Sequence, residues 1–113
     1  MTDEHYLRLA LEQAALAEAL GEVPIGAILV ANGEIIASAH NRTVSDHDPT
    51  AHAEILALRA GGLVLGNHRM RGVSLYVTLE PCIMCTGALI QARIDRLVFG
   101  AYDNRIGACG SAF

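Results

Sequence analysis

Lysine and tryptophan are absent from this chain, and only five of its 113 residues are aromatic. The core is therefore expected to consist mainly of leucine, isoleucine, valine and alanine. Eight arginines stand against twelve acidic residues, which gives a net charge of −4 and no overall attraction to a polyanion. Contact with nucleic acid would need a local arginine cluster. Residues 68–71 and Arg105 are candidates, although solvated loop charges explain the same residues more simply.

Long hydrophobic runs are also missing, since none approaches the ~20 residues that span a bilayer. Residues 1–4 are acidic and lack the basic start of a signal peptide. Three cysteines, two of them in a C-x-x-C, suit metal binding in a reducing compartment better than a disulfide framework. A hydrophobic content of 52% argues against disorder. These features predict a soluble, cytoplasmic protein with a single domain over residues 1–113.

The hydrophobic pattern predicts the element order α-β-β-α-β-α-β. Thr2 is a plausible N-cap for the first helix, in which Leu7, Leu11 and Ala14 share one face. Asn32-Gly33 is a strong signal for a type I′ hairpin turn, and Gly61-Gly62 is a helix stop signal. The predicted helices cover residues 3–20, 51–60 and 81–92, with Asp48-Pro49-Thr50 starting the second and Pro81 the third, and the predicted strands cover 25–31, 34–39, 74–78 and 96–100.

A strand followed by a helix occurs twice in this order, which predicts parallel strands with a right-handed crossover. Helices that follow parallel strands begin at the same edge of the sheet, where α/β proteins usually bind ligands. His52 and Glu54 open one such helix, and Cys82 and Cys85 open the next. The sequence therefore predicts that these four residues converge.

The motif that carries chemistry is His52-Ala53-Glu54, followed later by Pro81-Cys82-Ile83-Met84-Cys85. One histidine and two cysteines make three ligands, which is the number typical of a catalytic zinc that leaves its fourth position to water. Cys82 and Cys85 share a helix face in the first turn, where the helix dipole favours thiolates. Glu54 would handle the proton of the water. The motif therefore predicts metal-assisted hydrolysis.

Other interpretations of these residues stay open at this point. The C-x-x-C is also found in thioredoxin-like redox pairs, although that motif gives no role to His-x-Glu. A structural zinc would need a fourth ligand, for which the candidates are Cys109, His40, His47 and His68. Cys109 is more simply an ordinary buried or half-buried thiol. Asn41 is either a loop residue that makes Asx-turn hydrogen bonds or an amide that reads a base.

With H-x-E and P-C-x-x-C, the chain resembles the zinc-dependent cytidine/nucleoside deaminase superfamily. Over nearly its whole length it is similar to the bacterial tRNA-specific adenosine deaminases within that superfamily. The segments that carry this similarity are residues 22–27, 48–54, 75–82, 87–88 and 96–101.

The resemblance implies a homodimer with a three-layer αβα fold and a mixed central sheet. It implies hydrolytic deamination of adenosine to inosine at the wobble position of a tRNA anticodon. In that family His52, Cys82 and Cys85 match the ligands of one zinc ion per chain, and Glu54 matches the proton shuttle. The backbone amide of Ala53 and the side chain of Asn41 match groups that contact the base, and Asp103 matches a residue near the sugar and backbone of the target nucleotide.

The resemblance also implies a further strand and at least one helix after Phe113, so the 113 residues are expected to be a truncated form or the ordered part of a longer product. Two other functions fit the zinc motif. One is deamination of a free base, guanine or cytosine, on the same fold. The other is a catalytically silent, zinc-stabilised subunit, although Glu54, the acidic shuttle that such subunits often lack, is present.

Overall fold

The computed structural model describes residues 2–112 and has the predicted order of elements. Met1 and Phe113, the ends of the predicted single domain, lie outside this part, and the one-domain organisation stays a prediction. None of the helices in residues 2–112 combines the length and the hydropathy that a bilayer-spanning segment needs. The elements are α1 Asp3–Ala19, β1 Gly26–Ala31, β2 Glu34–His40, α2 Ala53–Leu65, β3 Val73–Val77, α3 Ile83–Ala92 and β4 Arg96–Phe99.

The four strands form one mixed sheet in the order β2-β1-β3-β4. β1 is antiparallel to both β2 and β3, whereas β3 and β4 are parallel, with Val77 opposite Phe99. Asn32 and Gly33, at the β1–β2 turn, both have positive φ, 52° and 75°. This confirms the type I′ turn. Strands β2, β3 and β4 therefore point the same way, and α2 and α3 both begin where a strand of this direction ends.

Helix α1 covers one face of the sheet through small residues. The side chain of Thr2 caps it by accepting a hydrogen bond from the backbone N–H of His5, 3.2 Å away. Its buried residues are Tyr6, Ala10, Ala14 and Ala17. Of the three residues predicted to share one face, Ala14 is buried and Leu7 packs against the core, but Leu11 is 59% exposed. The reason is close approach: a Cβ on Gly26 would collide with the carbonyl oxygen of Ala10. Alanines let the helix backbone rest on the strand.

Helices α2 and α3 cover the opposite face, so the molecule has three layers. Alternate residues of β1 point to the two sides, as expected for a strand. Ala27 and Leu29 join the core under α2 and α3, and Ile28 and Val30 join the core under α1. The αβα fold with a mixed central sheet is confirmed, and aliphatic residues make up most of its core.

Two predicted boundaries of α2 are wrong, and tertiary contacts explain both. The helix continues through Gly61-Gly62 and ends at Gly66, which has a left-handed φ of 65°. Gly61 is buried, and a Cβ there would collide with the side chain of Leu29, so this glycine makes room for packing and does not stop the helix. At the other end, Asp48 accepts hydrogen bonds from the N–H and hydroxyl of Thr50, at 2.8 and 2.7 Å. These bonds form a turn, and the helix begins only at Ala53.

The start of α3 differs in the same way. The sequence predicts Pro81 at its first position, but the helix begins at Ile83 with Cys82 as its N-cap. The carbonyl of Pro81 instead accepts a hydrogen bond from the N–H of Ala108, 2.9 Å away, and Cys82 forms an isolated antiparallel bridge with Gly107. The turn before α3 is therefore extended and pairs with the segment that follows β4.

Candidate metal centre

His52 occupies the N-cap position of α2, with extended backbone angles of −75° and 152°. Its side chain makes no capping hydrogen bond. Instead, Nδ1 of the ring lies 3.7 Å from Sγ of Cys82 and 3.5 Å from Sγ of Cys85. The N-terminal end of α2 thus directs the imidazole towards the two sulfurs.

Cys82 and Cys85 come from the first turn of α3, as the sequence predicts. Cys85 is fully buried and Cys82 is half-buried, and both are free thiols. The imidazole of His52, which meets both sulfurs, favours a metal site over a redox pair made of the two cysteines alone. Burial raises the pKa of the Cys85 thiol, and the nearby negative charges of Glu54 and Cys82 raise it further. A divalent cation is the partner that would stabilise two thiolates here.

The spacing of the three ligand atoms fits one tetrahedral ion. The imidazole nitrogen and the two sulfurs all lie within 4.8 Å of one another. Bonds of about 2.0–2.3 Å in tetrahedral geometry place neighbouring ligand atoms about 3.3–3.8 Å apart. The two nitrogen–sulfur distances, 3.5 and 3.7 Å, fall in this range. His52, Cys82 and Cys85 therefore have the donor types and the nitrogen–sulfur spacing of a zinc site.

No fourth histidine, cysteine or carboxylate joins this group among residues 2–112. Cys109 lies 3.3 Å from the hydroxyl of Thr86 and is half-buried, as the simpler interpretation of this thiol predicts. Nδ1 of His40 pairs with the carbonyl of Asn41. The closed structural zinc site, which needs four protein ligands, is not supported by this geometry.

Glu54 lies in the first turn of α2 with only 3% of its surface exposed. Burial raises the pKa of this carboxyl group, which faces Cys85. Its Oε1 is buried and has no hydrogen-bond partner among the described residues. Buried polar atoms without a partner are rare and costly, so this atom is a candidate for a role in chemistry.

Asn41 and Ala53, the two residues predicted to contact a base, are bonded to each other. The backbone N–H of Ala53 donates to Oδ1 of Asn41 over 2.8 Å, and both residues are buried. Because His52 does not cap α2, Asn41 supplies the missing acceptor from the end of β2. This leaves the amide nitrogen of Asn41 as the group free to meet a ligand.

Asp103 lies in the segment after β4, which packs against the turn that carries Cys82. Its Oδ1 accepts hydrogen bonds from the N–H groups of Arg105 and Ile106, at 3.0 and 3.3 Å, and its own N–H donates to Glu80. Of the arginine candidates, Arg69 and Arg71 are exposed and line one surface cavity, with Met70 buried between them.

Glu80 is a site residue that the sequence argument missed. It is only 3% exposed and lies two residues before Cys82. Burial raises its pKa, but hydrogen bonds from Ser111 and from the backbone of Cys109 and Asp103 outweigh this, and the pKa is lowered overall. A charged residue at the end of an apolar strand, just before the Pro-Cys pair, was the available signal.

Comparisons with known proteins agree with this site. The profile of the family described as "Cytidine and deoxycytidylate deaminase zinc-binding region" matches residues 1–101. The chain is 54% identical over 112 residues to a tRNA-specific adenosine deaminase of Haemophilus influenzae, covering 98% of this chain and 65% of that protein. It is 48% identical over 113 residues to the enzyme of the same name from Aquifex aeolicus, covering 100% of this chain and 75% of that protein.

Solved structures give the same result. A structure from a study of A-to-I editing by tRNA:A34 deaminases at the wobble position of transfer RNA superposes with a TM-score of 0.94 at 50% identity, over 96% of this chain and 78% of that one. A guanine deaminase from Bacillus subtilis superposes with a TM-score of 0.88 at 38% identity, over 90% and 66%. The chain spans about two thirds of the length of the first curated relatives.

Proposed function

Since the chain belongs to the family of the cytidine and deoxycytidylate deaminase zinc-binding region, we propose that it deaminates adenosine to inosine at the wobble position of a tRNA anticodon. The observation that carries the chemistry is the unpartnered, buried Oε1 of Glu54 beside a group of three metal ligands. The names of the relatives, at 48–54% identity, support the choice of substrate.

The residues of the site have distinct roles in this proposal. His52, Cys82 and Cys85 hold one zinc ion per chain. When bound, zinc supplies the Lewis acidity that makes water a usable nucleophile at neutral pH. Glu54 accepts a proton from the water while the oxygen of that water bonds to C6 of adenine. Glu54 then delivers the proton to N1.

Glu54 then transfers the second proton of the water to the amino nitrogen, and the bond from C6 to that nitrogen breaks. Ammonia leaves and C6 keeps the oxygen, so adenosine and water give inosine and ammonia. Acid–base catalysis by a positioned side chain contributes roughly 10²–10⁴-fold to the rate. The burial of Glu54 keeps bulk water from competing for these protons.

Asn41, Ala53 and Asp103 are proposed to hold the substrate. The amide nitrogen of Asn41 would face the edge of the base, and the Ala53 N–H, which already bonds Oδ1 of Asn41, would hold that side chain in place beside it. Asp103, on the segment next to Cys82, would lie near the sugar and backbone of the target nucleotide. The adenine must be unstacked to reach this site, and in an anticodon loop unstacking is easier than in a duplex.

The runner-up is deamination of a free base, which the similarity to a guanine deaminase favours. One experiment separates the two. The zinc-loaded chain is incubated with an anticodon stem-loop that carries adenosine at the wobble position, and in parallel with free guanine, cytosine and adenosine. Inosine formed only in the RNA supports the proposal. Ammonia released only from a free base replaces it with the runner-up.

We also propose that the chain acts as a cytoplasmic homodimer. Three unpaired thiols suit a reducing compartment. Helices α2 and α3 expose large apolar side chains, with Leu63 87%, Ile83 65% and Ile90 61% exposed, and such surfaces often mark contacts between proteins. Light scattering coupled to gel filtration checks the mass. A monomer mass at all concentrations contradicts the dimer.

A further inference from the structure

A second buried carboxylate lies beside the metal-ligand turn and takes no part in the proposed chemistry. Oε1 of Glu80 accepts hydrogen bonds from the N–H of Asp103, at 3.1 Å, and from the hydroxyl of Ser111. Oε2 accepts from the N–H groups of Cys109 and Ser111, at 2.8 and 3.2 Å. Four donors from one segment therefore converge on one side chain.

The same segment is bonded to the turn that carries Cys82. The N–H of Glu80 donates to the carbonyl of Ala101 over 2.8 Å, and Ala108 donates to Pro81 over 2.9 Å. Cys82 itself pairs with Gly107. A Cβ on Gly107 would collide with the carboxyl group of Glu80, so backbone and carboxylate are in close contact.

We infer that Glu80 is a positioning residue for the metal centre. By holding residues 103–111 against the Pro81-Cys82 turn, it fixes where Sγ of Cys82 lies relative to the other two ligands. The side chain of Cys82, the N-cap of α3, makes no capping hydrogen bond, and its backbone is held both by Thr86 within the helix and by Gly107 from the segment after β4. This inference rests on the proposed metal site but not on the identity of the substrate.

A carboxylate is needed because all its partners are donors. Glutamine has the same shape but replaces one acceptor oxygen with an NH₂ group, which would face the N–H groups of the segment. Hydrogen bonds to charged groups are also stronger than those to neutral ones. Glu80→Gln should therefore loosen the segment without changing the ligands themselves.

Glu22 provides a matched control. It is also buried, 4% exposed, and accepts hydrogen bonds from Val44 and from the backbone and hydroxyl of Ser45, at 2.6–3.1 Å. It anchors residues 43–45 of the loop between β2 and α2, and these residues make no hydrogen bond to the turn that carries Cys82. Glu22→Gln therefore removes the same kind of bond, and comparable stability, away from the ligand turn.

The test compares metal affinity and ligand geometry in the wild type, Glu80→Gln and Glu22→Gln. Zinc affinity is measured by competition with a chelator, and the d–d spectrum of the cobalt(II)-loaded protein reports the geometry. We expect Glu80→Gln to weaken zinc binding by about 10–100-fold, as for other residues that orient metal ligands, and to change the cobalt spectrum. Glu22→Gln should keep the wild-type spectrum and an affinity close to wild type.

Glu80→Gln and Glu22→Gln with the same affinity and spectrum would overturn the inference. If circular dichroism shows that Glu80→Gln is unfolded, Ser111→Ala decides, since it removes one donor and keeps the carboxylate. A smaller change in the same direction supports the inference, and no change refutes it. A wild-type chain that binds neither metal removes the site and the inference together. A metal-loaded chain that makes no inosine refutes the proposed function, while the metal measurements still decide the role of Glu80.

Discussion

The hydrogen bond between Asn41 and Ala53 leads to a quantitative prediction about the start of α2. His52 occupies the N-cap but leaves the first N–H of the helix without a side-chain partner, and Asn41 accepts it over 2.8 Å. Asn41→Ala leaves this buried N–H unpaired, which costs about 1–3 kcal/mol. For a chain of about 110 residues the midpoint of thermal unfolding falls by about 4 °C per kcal/mol, so we expect a drop of about 4–12 °C.

The assay is thermal unfolding followed by far-ultraviolet circular dichroism, on metal-free protein kept reduced, so that metal binding does not mask the loss. Asn67→Ala is the matched control. Oδ1 of Asn67 also accepts a backbone N–H, that of Arg69 at 3.0 Å, but in an exposed turn. Water can replace that bond, so the control should stay within about 0.5 kcal/mol of wild type. Equal drops in the two variants would refute the capping role of Asn41.

Asn41→Asp separates capping from substrate binding. It keeps the acceptor oxygen and adds a negative charge that a helix N-terminus favours, although burial opposes that gain. We expect a stability closer to wild type than that of Asn41→Ala. The substitution removes the amide nitrogen, however, so kcat/KM on the anticodon stem-loop should fall. Full activity of Asn41→Asp would show that this nitrogen does not read the base.

Three further predictions test the site, the core and the N-terminus. Glu54→Gln should keep its zinc but lower kcat by about 10²–10⁴-fold. Glu12→Gln, on the exposed side of α1, should leave kcat unchanged. Near-normal turnover by Glu54→Gln would remove Glu54 from the mechanism. Gly61→Ala places a methyl group against a core leucine and should destabilise the chain by about 1–3 kcal/mol in urea unfolding. Gly87→Ala, with nothing within 4 Å of the new atom, should stabilise it by about 0.5–1 kcal/mol. Changes in unfolding free energy of the same sign in the two variants would contradict the packing argument. A hydrogen bond from a neighbouring arginine lowers the pKa of Asp3 to about 2. The contribution of the Asp3 carboxylate to stability is therefore complete above about pH 4 and is lost as the pH falls towards 2. The difference in urea midpoint between wild type and Asp3→Asn should close over that range, and a constant difference would contradict this account.

Local patterns in the sequence predict a large part of this fold. The Asn32-Gly33 turn fixes the first hairpin, because few residue pairs adopt positive φ at both positions. The two strand-then-helix units bring the histidine and the cysteines together, because both helices begin at one edge of the sheet. The ligand group is predictable for the same reason, since its spacing is a local property of each helix start.

What the sequence did not reveal depends on distant contacts. In the sequence, Gly61 looks like a helix stop signal. Only its contact with the side chain of Leu29, in another element, shows that it is a packing position. As a charged residue, Glu80 is expected on the surface. The groups that donate hydrogen bonds to its carboxylate and bury it lie more than twenty residues later in the chain. The position of Glu80 at the end of an apolar strand is a local sign, but the partners that bury the carboxylate are not visible from that position.

The two sulfurs and the imidazole join the metal group over very different chain distances. Cys82 and Cys85 share one helical turn, whereas His52 is 30 residues away from Cys82 and lies next to it in a fold where β3 pairs with β1. An ion added to a refolding chain would therefore encounter a ready chelating pair first and gain its nitrogen donor late. Binding of the imidazole nitrogen to the metal would thus report that the sheet has formed. Added metal should slow unfolding of the folded protein more than it speeds the early steps of folding.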